Sequence, residues 1–246
     1  MDHVGILVLS TTRGRDFKTL KDTYLVNIFF SSFLQTYSKD YKYTIYIGYD
    51  TDDPLYSNSE NRLEGNIKDH DNVEVRFIEL INMERGWVTK MWNHLADVAK
   101  KDGCYYLYQC GDDVQFLNKD WVEKSVNALK AHDNIGLSGP IDYGRLVMGG
   151  DVCKPGGERF IMTQSFVSIK HLEMFGSFFP VAIKNWLCDD YITEVYKPDY
   201  LYVFEDCYIL NKGGDERYVP IINEELVKIQ KDISNIHKNK LIKNVV

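Results

Sequence analysis

Strand-length apolar runs alternate with helically spaced apolar residues through residues 1–135, and this constrains the fold more than any other feature of the chain. Val4–Ser10 reads as a buried strand. Phe17–Tyr37 reads as a helix with Leu20, Tyr24 and Ile28 on one line and Leu25, Phe29 and Phe33 on another. Tyr43–Tyr49 and Val73–Leu80 are the next strands, separated by a polar loop. A helix over Arg85–Lys101 carries Val88, Met91, Trp92, Leu95 and Ala99 on one face, and another over Trp121–His132 carries Val122, Val126 and Leu129. The pattern predicts an α/β fold, with a mostly parallel, Rossmann-like central sheet covered by helices on both faces. Ligands of such sheets bind beyond the carboxyl ends of the strands. Three polar clusters fall at those ends: Thr11, Thr12 and Arg13; Asp50–Asp53; and Asp112–Asp113.

The central stretch is Cys104–Phe116, CYYLYQCGDDVQF. Its apolar run suits a strand buried on both faces, and it stops at Gly111 with two carboxylates directly behind. Adjacent aspartates at a strand end repel one another unless a cation sits beside them. A divalent metal escorting phosphates would supply that cation, because hard cations take carboxylate oxygens and keep positions open for substrate oxygens. The alternative is a polar turn in which Asp112 or Asp113 bonds the loop backbone.

Beyond residue 135 the alternation loosens. Ile135–Pro140 and Phe160–Ile169 read as strands, His171–Phe175 as a short helix, and Tyr200–Phe204 as a last strand. The glycine-rich Gly144–Glu158 reads as a mobile loop, either ordering over a ligand or making a plain surface excursion. The segment NWLCDDYITEVY, residues 185–196, opens a helix with a second carboxylate pair, Asp189–Asp190. One aspartate there would complement the helix N-terminus. Two in a row, behind Trp186 and Cys188, exceed what a cap requires and suit a general base that takes a proton from an attacking hydroxyl. Asn223–Lys240 predicts a C-terminal helix packed on the body through Leu226, Ile229, Ile233 and Ile236.

The net charge of −7 argues against a broad basic nucleic-acid-binding face. Five cysteines without a CxxC pair indicate neither a zinc site nor a disulfide framework, and a reducing compartment is the simpler expectation. The N-terminus lacks a basic n-region, and the apolar stretch Tyr24–Leu34 is too short to span a bilayer. A cytoplasmic protein without a membrane span is expected, unless these residues belong to a longer chain. The expected organisation is a single domain over 1–246: a regularly alternating half (1–135), a looser half (136–222) and a C-terminal helix (223–246), the first two being the nucleotide-sugar-binding and acceptor-binding halves if the family resemblance given next holds.

The order of landmarks resembles the GT-A class of nucleotide-sugar glycosyltransferases, nearest to inverting enzymes of the N-acetylglucosaminyltransferase I type. These landmarks are ILVLSTTR, YIGYD, the Trp-bearing KMWNHLA, YLYQCGDD and WLCDDY. The resemblance implies a metal-dependent transferase that moves a hexosyl or N-acetylhexosaminyl group from a UDP-sugar to a hydroxyl of a glycan or glycoprotein, with inversion. Manganese would be the cofactor, with magnesium as the alternative. Asp113 would ligate the metal and Asp112 would contact it through water or reach the ribose. Asp50 would read the uracil and Arg13 would hold the nucleotide. Asp190 would be the base with Asp189 beside it, and Trp186 would line the acceptor side. Thr11, Thr12, Asp52 and Lys90 complete the nucleotide-binding candidates, with Arg15 competing with Arg13 and Asp52 with Asp50. The sequence departs from the family at Gly111, where an acidic residue is common, and offers only Asp206 or His237 as a third ligand.

GDD also marks polymerase palms, but the length and charge of this chain oppose that reading. A sugar-phosphate nucleotidyltransferase would need a glycine-rich basic loop after the first strand, where STTRGR offers a single glycine. A retaining transferase on the same scaffold, and a domain that binds nucleotide or glycan without turnover, stand as further alternatives.

Overall fold

The computed structural model describes residues 1–213, 219–220 and 222–245. The expected acceptor half and terminal helix therefore include positions, 214–218, 221 and 246, that lie outside the described residues. Among the described residues nine strands form one sheet: β1 (His3–Leu9), β2 (Lys42–Asp50), β3 (Gly65–Ile67), β4 (His70–Leu80), β5 (Tyr106–Gly111), β6 (Val114–Phe116), β7 (Leu137–Asp142), β8 (Ser165–Ser168) and β9 (Leu201–Asn211). Their spatial order is β3-β4-β2-β1-β5-β8-β7-β9-β6. Strands β4, β2, β1 and β5 pair in parallel, and β7 pairs in parallel with β9. Strands β3, β8 and β6 run against their neighbours. The sheet is thus mixed but mostly parallel, and six strands end on one edge.

Side-chain alternation divides the core between the two faces of the sheet. Val4, Ile6 and Val8 of β1 join Tyr108, Phe116 and Trp121 on one face. Leu7, Leu107 and Val167 join Leu95, Tyr191 and Ile192 on the other. The helices covering these faces are α1 (Ser31–Thr36), α2 (Val88–Lys101), α3 (Trp121–Lys130), α4 (Tyr143–Gly149), α5 (Lys170–Phe175), α6 (Cys188–Tyr196) and α7 (Glu224–Val245).

Several elements differ from the sequence expectation, each for a local reason. The expected helix over Phe17–Tyr37 divides into a 3-10 turn at Leu20–Asp22, a π-helical stretch at Leu25–Phe30, and α1. Side chains compete for its carbonyls: Asn27 Nδ2 donates to Lys21 O, and the Ser31 and Ser32 hydroxyls donate back to Ile28 O. The glycine-rich segment contains α4, whose N-terminus is capped by the Asp142 carboxylate accepting from Gly144 N at 3.0 Å, and a following 3-10 turn at Gly150–Cys153. The expected strand over Phe160–Ile169 pairs only at Ser165–Ser168, because α6 side chains take the earlier backbone. Thr193 Oγ1 accepts from Met162 N, and Lys197 Nζ donates to Phe160 O. β9 extends well past Phe204 to Asn211, and β3 forms inside the expected polar loop. On α7 the packed line runs through Gln230, Ser234 and Leu241, which leaves Ile236 exposed.

Candidate active site

The carboxyl ends of the parallel strands surround a cleft of about 870 Å³. Its walls include Thr11 and Arg13 after β1, Asp50 ending β2, Leu80 ending β4, Gly111 and Asp113 after β5, and Asn211 ending β9. The same cleft is lined by Trp186 just before α6, by Asp189 and Asp190 at the start of α6, and by Arg145 of α4. Of the expected site residues, Thr11, Arg13, Asp50, Asp113, Trp186, Asp189 and Asp190 face this single cavity. Thr12, Asp52, Lys90 and Asp112 do not line it.

The residues outside the cleft build the edge. Asp53 is fully buried and accepts five hydrogen bonds: from Thr11 Oγ1 (3.0 Å), Thr12 N (2.7 Å), Thr12 Oγ1 (2.6 Å), Leu55 N (3.1 Å) and Tyr56 N (3.0 Å). Thr12 is spent on this knot, which ties the β1 loop to the β2 loop. Asp52 lies in solvent and pairs with two guanidiniums, Arg13 at 2.5 Å and Arg85. The Lys90 ammonium sits over the Trp87 ring, 3.3 Å from its centroid.

The two aspartates of GDD have different surroundings. Asp112 is 1% exposed and accepts from Ser10 Oγ at 2.6 Å, and that hydroxyl also bonds Tyr56 OH at 2.9 Å. Asp113 faces the cleft between two glycines. A Cβ on Gly111 would fall within 3.0 Å of Asp113 Oδ1, and one on Gly213 within 3.0 Å of Oδ2, closer than real Cβ atoms approach. Neither glycine has a left-handed φ, so both are needed for side-chain clearance and not for backbone freedom. A side chain at position 111 would therefore compete for space with the Asp113 carboxylate. Lys212 N donates to Asp113 O at 2.9 Å and fastens the end of β9 across the site.

The second pair occupies a less polar setting. Burial, with Asp190 adjacent, pushes the Asp189 carboxyl up to about 7. Burial also raises Asp190, opposed by its own backbone N–H and by Arg145. Cys188 Sγ lies 3.5 Å from Asp189 Oδ1. Asp50 is likewise raised by burial, against the pull of Arg85 and Arg13. Helix α2 braces this wall: Asn93 exchanges two hydrogen bonds with Phe179, and Thr89 Oγ1 donates to Ile183 O. Trp186 is 45% exposed at the rim.

Among the described residues no group of three or more His, Cys, Asp or Glu could hold a metal ion. Asp206 pairs with Lys124 at 2.7 Å, and His237 bonds Tyr191 OH at 2.7 Å, both away from the cleft. What the cleft offers is the Asp113 carboxylate with the Asn211 carboxamide nearby. That set suits a hard cation that takes its remaining ligands from phosphates and water, and not one held in an all-protein cage. Arg85, Gln109 and Arg145 also line the cleft and were not singled out from the sequence. Gln109 had a usable signal, as the only strongly polar side chain inside YYLYQC. Arg85 and Arg145 had none, since nothing local marks which arginine turns inward.

No protein-family model matches this sequence, and no curated protein matches it. Among the described residues no helix is long and apolar enough to cross a membrane. The fold is similar to crystal structures of S. aureus TarS. The 1–349 fragment in complex with UDP-GlcNAc is 12% identical with a TM-score of 0.57, covering 96% of this chain and 66% of that one. The same fragment in complex with UDP gives 13% identity and a TM-score of 0.54, covering 96% and 65%. A further TarS structure gives 11% identity and a TM-score of 0.56, covering 100% and 43%. This chain thus spans less than two thirds of the length of those proteins. At such identities the likeness is one of fold, a mixed, mostly parallel Rossmann-like sheet.

Proposed function

We propose that this chain is a glycosyltransferase that moves a sugar from a nucleotide-sugar, UDP-linked by preference, to a hydroxyl of a glycan or glycoprotein, with inversion. The observation that carries the reading is that Asp113 and the Asp189–Asp190 pair line one cleft together with Arg13, Asp50 and Thr11. The fold shared with a protein crystallised with UDP and with UDP-GlcNAc supports the choice of donor.

In this reading the nucleotide lies along the ends of β1 and β2. Asp50 takes the uracil edge, and Arg13, held by Asp52, meets the ribose and phosphates. Manganese or magnesium held by Asp113 with the diphosphate would neutralise charge on the leaving group. Asp190, with Asp189 beside it, takes the proton from the acceptor hydroxyl as that oxygen bonds to the anomeric carbon. The bond from that carbon to the diphosphate oxygen breaks, and its electron pair leaves with UDP. Burial raises the basicity of both carboxylates, which suits a base working near neutral pH. Trp186 at the rim offers an aromatic face for an acceptor sugar.

The test is release of UDP from a panel of UDP-sugars, with and without manganese and with mixed glycan acceptors. Metal-dependent release with an inverted anomeric product supports the reading. Retention of configuration would move the reaction to a retaining mechanism on the same scaffold, and no release from any sugar would leave a binding domain.

A further inference from the structure

The face of the sheet beneath α2 and α6 is apolar through Leu7, Leu107 and Val167. At its cleft end the pattern breaks. Gln109 of β5 and Ser165 of β8 stand directly opposite each other in the antiparallel register. Gln109 is 2% exposed and Ser165 fully buried. Gln109 Oε1 and Ser165 Oγ have no hydrogen-bond partner, although Gln109 lines the cleft. A buried polar atom left unpaired is unfavourable, and Gln109 Oε1 on the lining of an open cavity points to a ligand that completes it, with Ser165 opposite it in the register and just outside the lining. Asp113, Asp189 and Asp190 line the same cleft, and Gln164 adds a second neutral carboxamide to the lining.

We propose that Gln109, with Ser165 beside it, reads a neutral hydroxyl or amide N–H of the transferred sugar. This rests on the donor reading above and deepens it: the site selects an uncharged sugar by a hydrogen bond made at the sheet floor, apart from the groups that hold the nucleotide. A site built to bond such a group discriminates strongly against its loss, because the protein's own polar atoms are then stranded.

The experiment is calorimetric titration of UDP, UDP-glucose and UDP-N-acetylglucosamine, with manganese, into wild-type protein, Gln109→Met and Ser165→Ala. Wild type should bind at least one UDP-sugar more tightly than UDP. Gln109→Met should weaken that sugar nucleotide by about tenfold while leaving UDP unchanged within twofold, and Ser165→Ala should shift it less in the same direction. Removing an unpaired buried carboxamide should also hold or raise the melting temperature of the unliganded Gln109→Met protein. Equal binding of UDP-sugars by Gln109→Met and wild type overturns the proposal, leaving a floor filled by buried water. An equal loss for UDP also overturns it, making Gln109 a strut of the nucleotide site. Wild-type protein that binds UDP but gains nothing from the sugar overturns this inference alone, whereas protein that binds no UDP overturns the donor reading with it.

Discussion

The two carboxylate pairs look alike in sequence and are held in opposite ways. At the ends of β1, β2 and β5 several carboxylates are met by dedicated donors: five for Asp53, two guanidiniums for Asp52, and the Ser10 hydroxyl for Asp112, with Asp50 the exception, raised by burial. At the start of α6 burial outweighs the compensating contacts: Asp189 rises to about 7, and Asp190 is raised as well. A carboxylate met by donors stays a weak base, so it suits fixed binding. One deprived of them becomes a stronger base, so it suits proton transfer. The proposed binding and proton-transfer groups are thus one residue type in different surroundings.

The largest effect expected from this contrast is at Asp190. Asp190→Ala should retain UDP binding and lose turnover by a factor of ~10² to 10⁴, read as UDP release at saturating donor. Near-normal transfer in that variant would make Asp190 only a helix cap. Next come the glycines flanking Asp113. Gly111→Ala and Gly213→Ala should fold normally, since the atom each new methyl displaces is the tip of a side chain. They should weaken manganese-dependent UDP binding by about tenfold, roughly 1.4 kcal/mol, as the carboxylate is pushed aside. Unchanged affinity would show that the position of the carboxylate does not matter.

The third effect is a pH dependence of stability. The folded-state pKa of Asp189, about 7, exceeds its ordinary value of 3.8, so the folded protein holds this proton after the unfolded chain has released it. Stability contributed at this site therefore falls as pH rises from about 4 to about 7 and then levels off. Asp189→Asn should raise the melting temperature at pH 8, with the gain vanishing toward pH 4; a gain constant across pH would contradict the burial argument. The smallest effect is at Asp52. Its ion pairs are exposed, and Asp52→Ala should leave the midpoint of a denaturant melt nearly unchanged. Its effect on UDP affinity reports how far Arg13 depends on being held.

How much of this was legible in the sequence follows the same division of the molecule. Strands β1, β2, β4 and β5 announce themselves because each is a strand-length apolar run bounded by polar or helical segments. The ends of those strands were legible too, which is why Arg13, Asp50 and Asp113 were expected together and share one cleft. The second half is assembled from distant pairings. β8 inserts between β5 and β7, and β9 continues beyond Phe204 to pair with β6. No local pattern encodes those pairings. Nor does any mark Arg145, which reaches the cleft from a helix hidden among glycines, or Thr12 and Asp52, whose side chains are taken up by partners on neighbouring loops. Gly213 gave no signal either, since its role depends on Asp113, a hundred residues earlier.

The most direct test of the central claim is calorimetric titration of UDP into the wild-type protein and Asp113→Ala, each with saturating manganese. The expected result is heat of binding in the wild type that disappears in Asp113→Ala and, in the wild type, fades when manganese is withdrawn. Binding of equal strength in both proteins, or no heat from any nucleoside diphosphate in the wild type, would contradict a donor site at the ends of these strands.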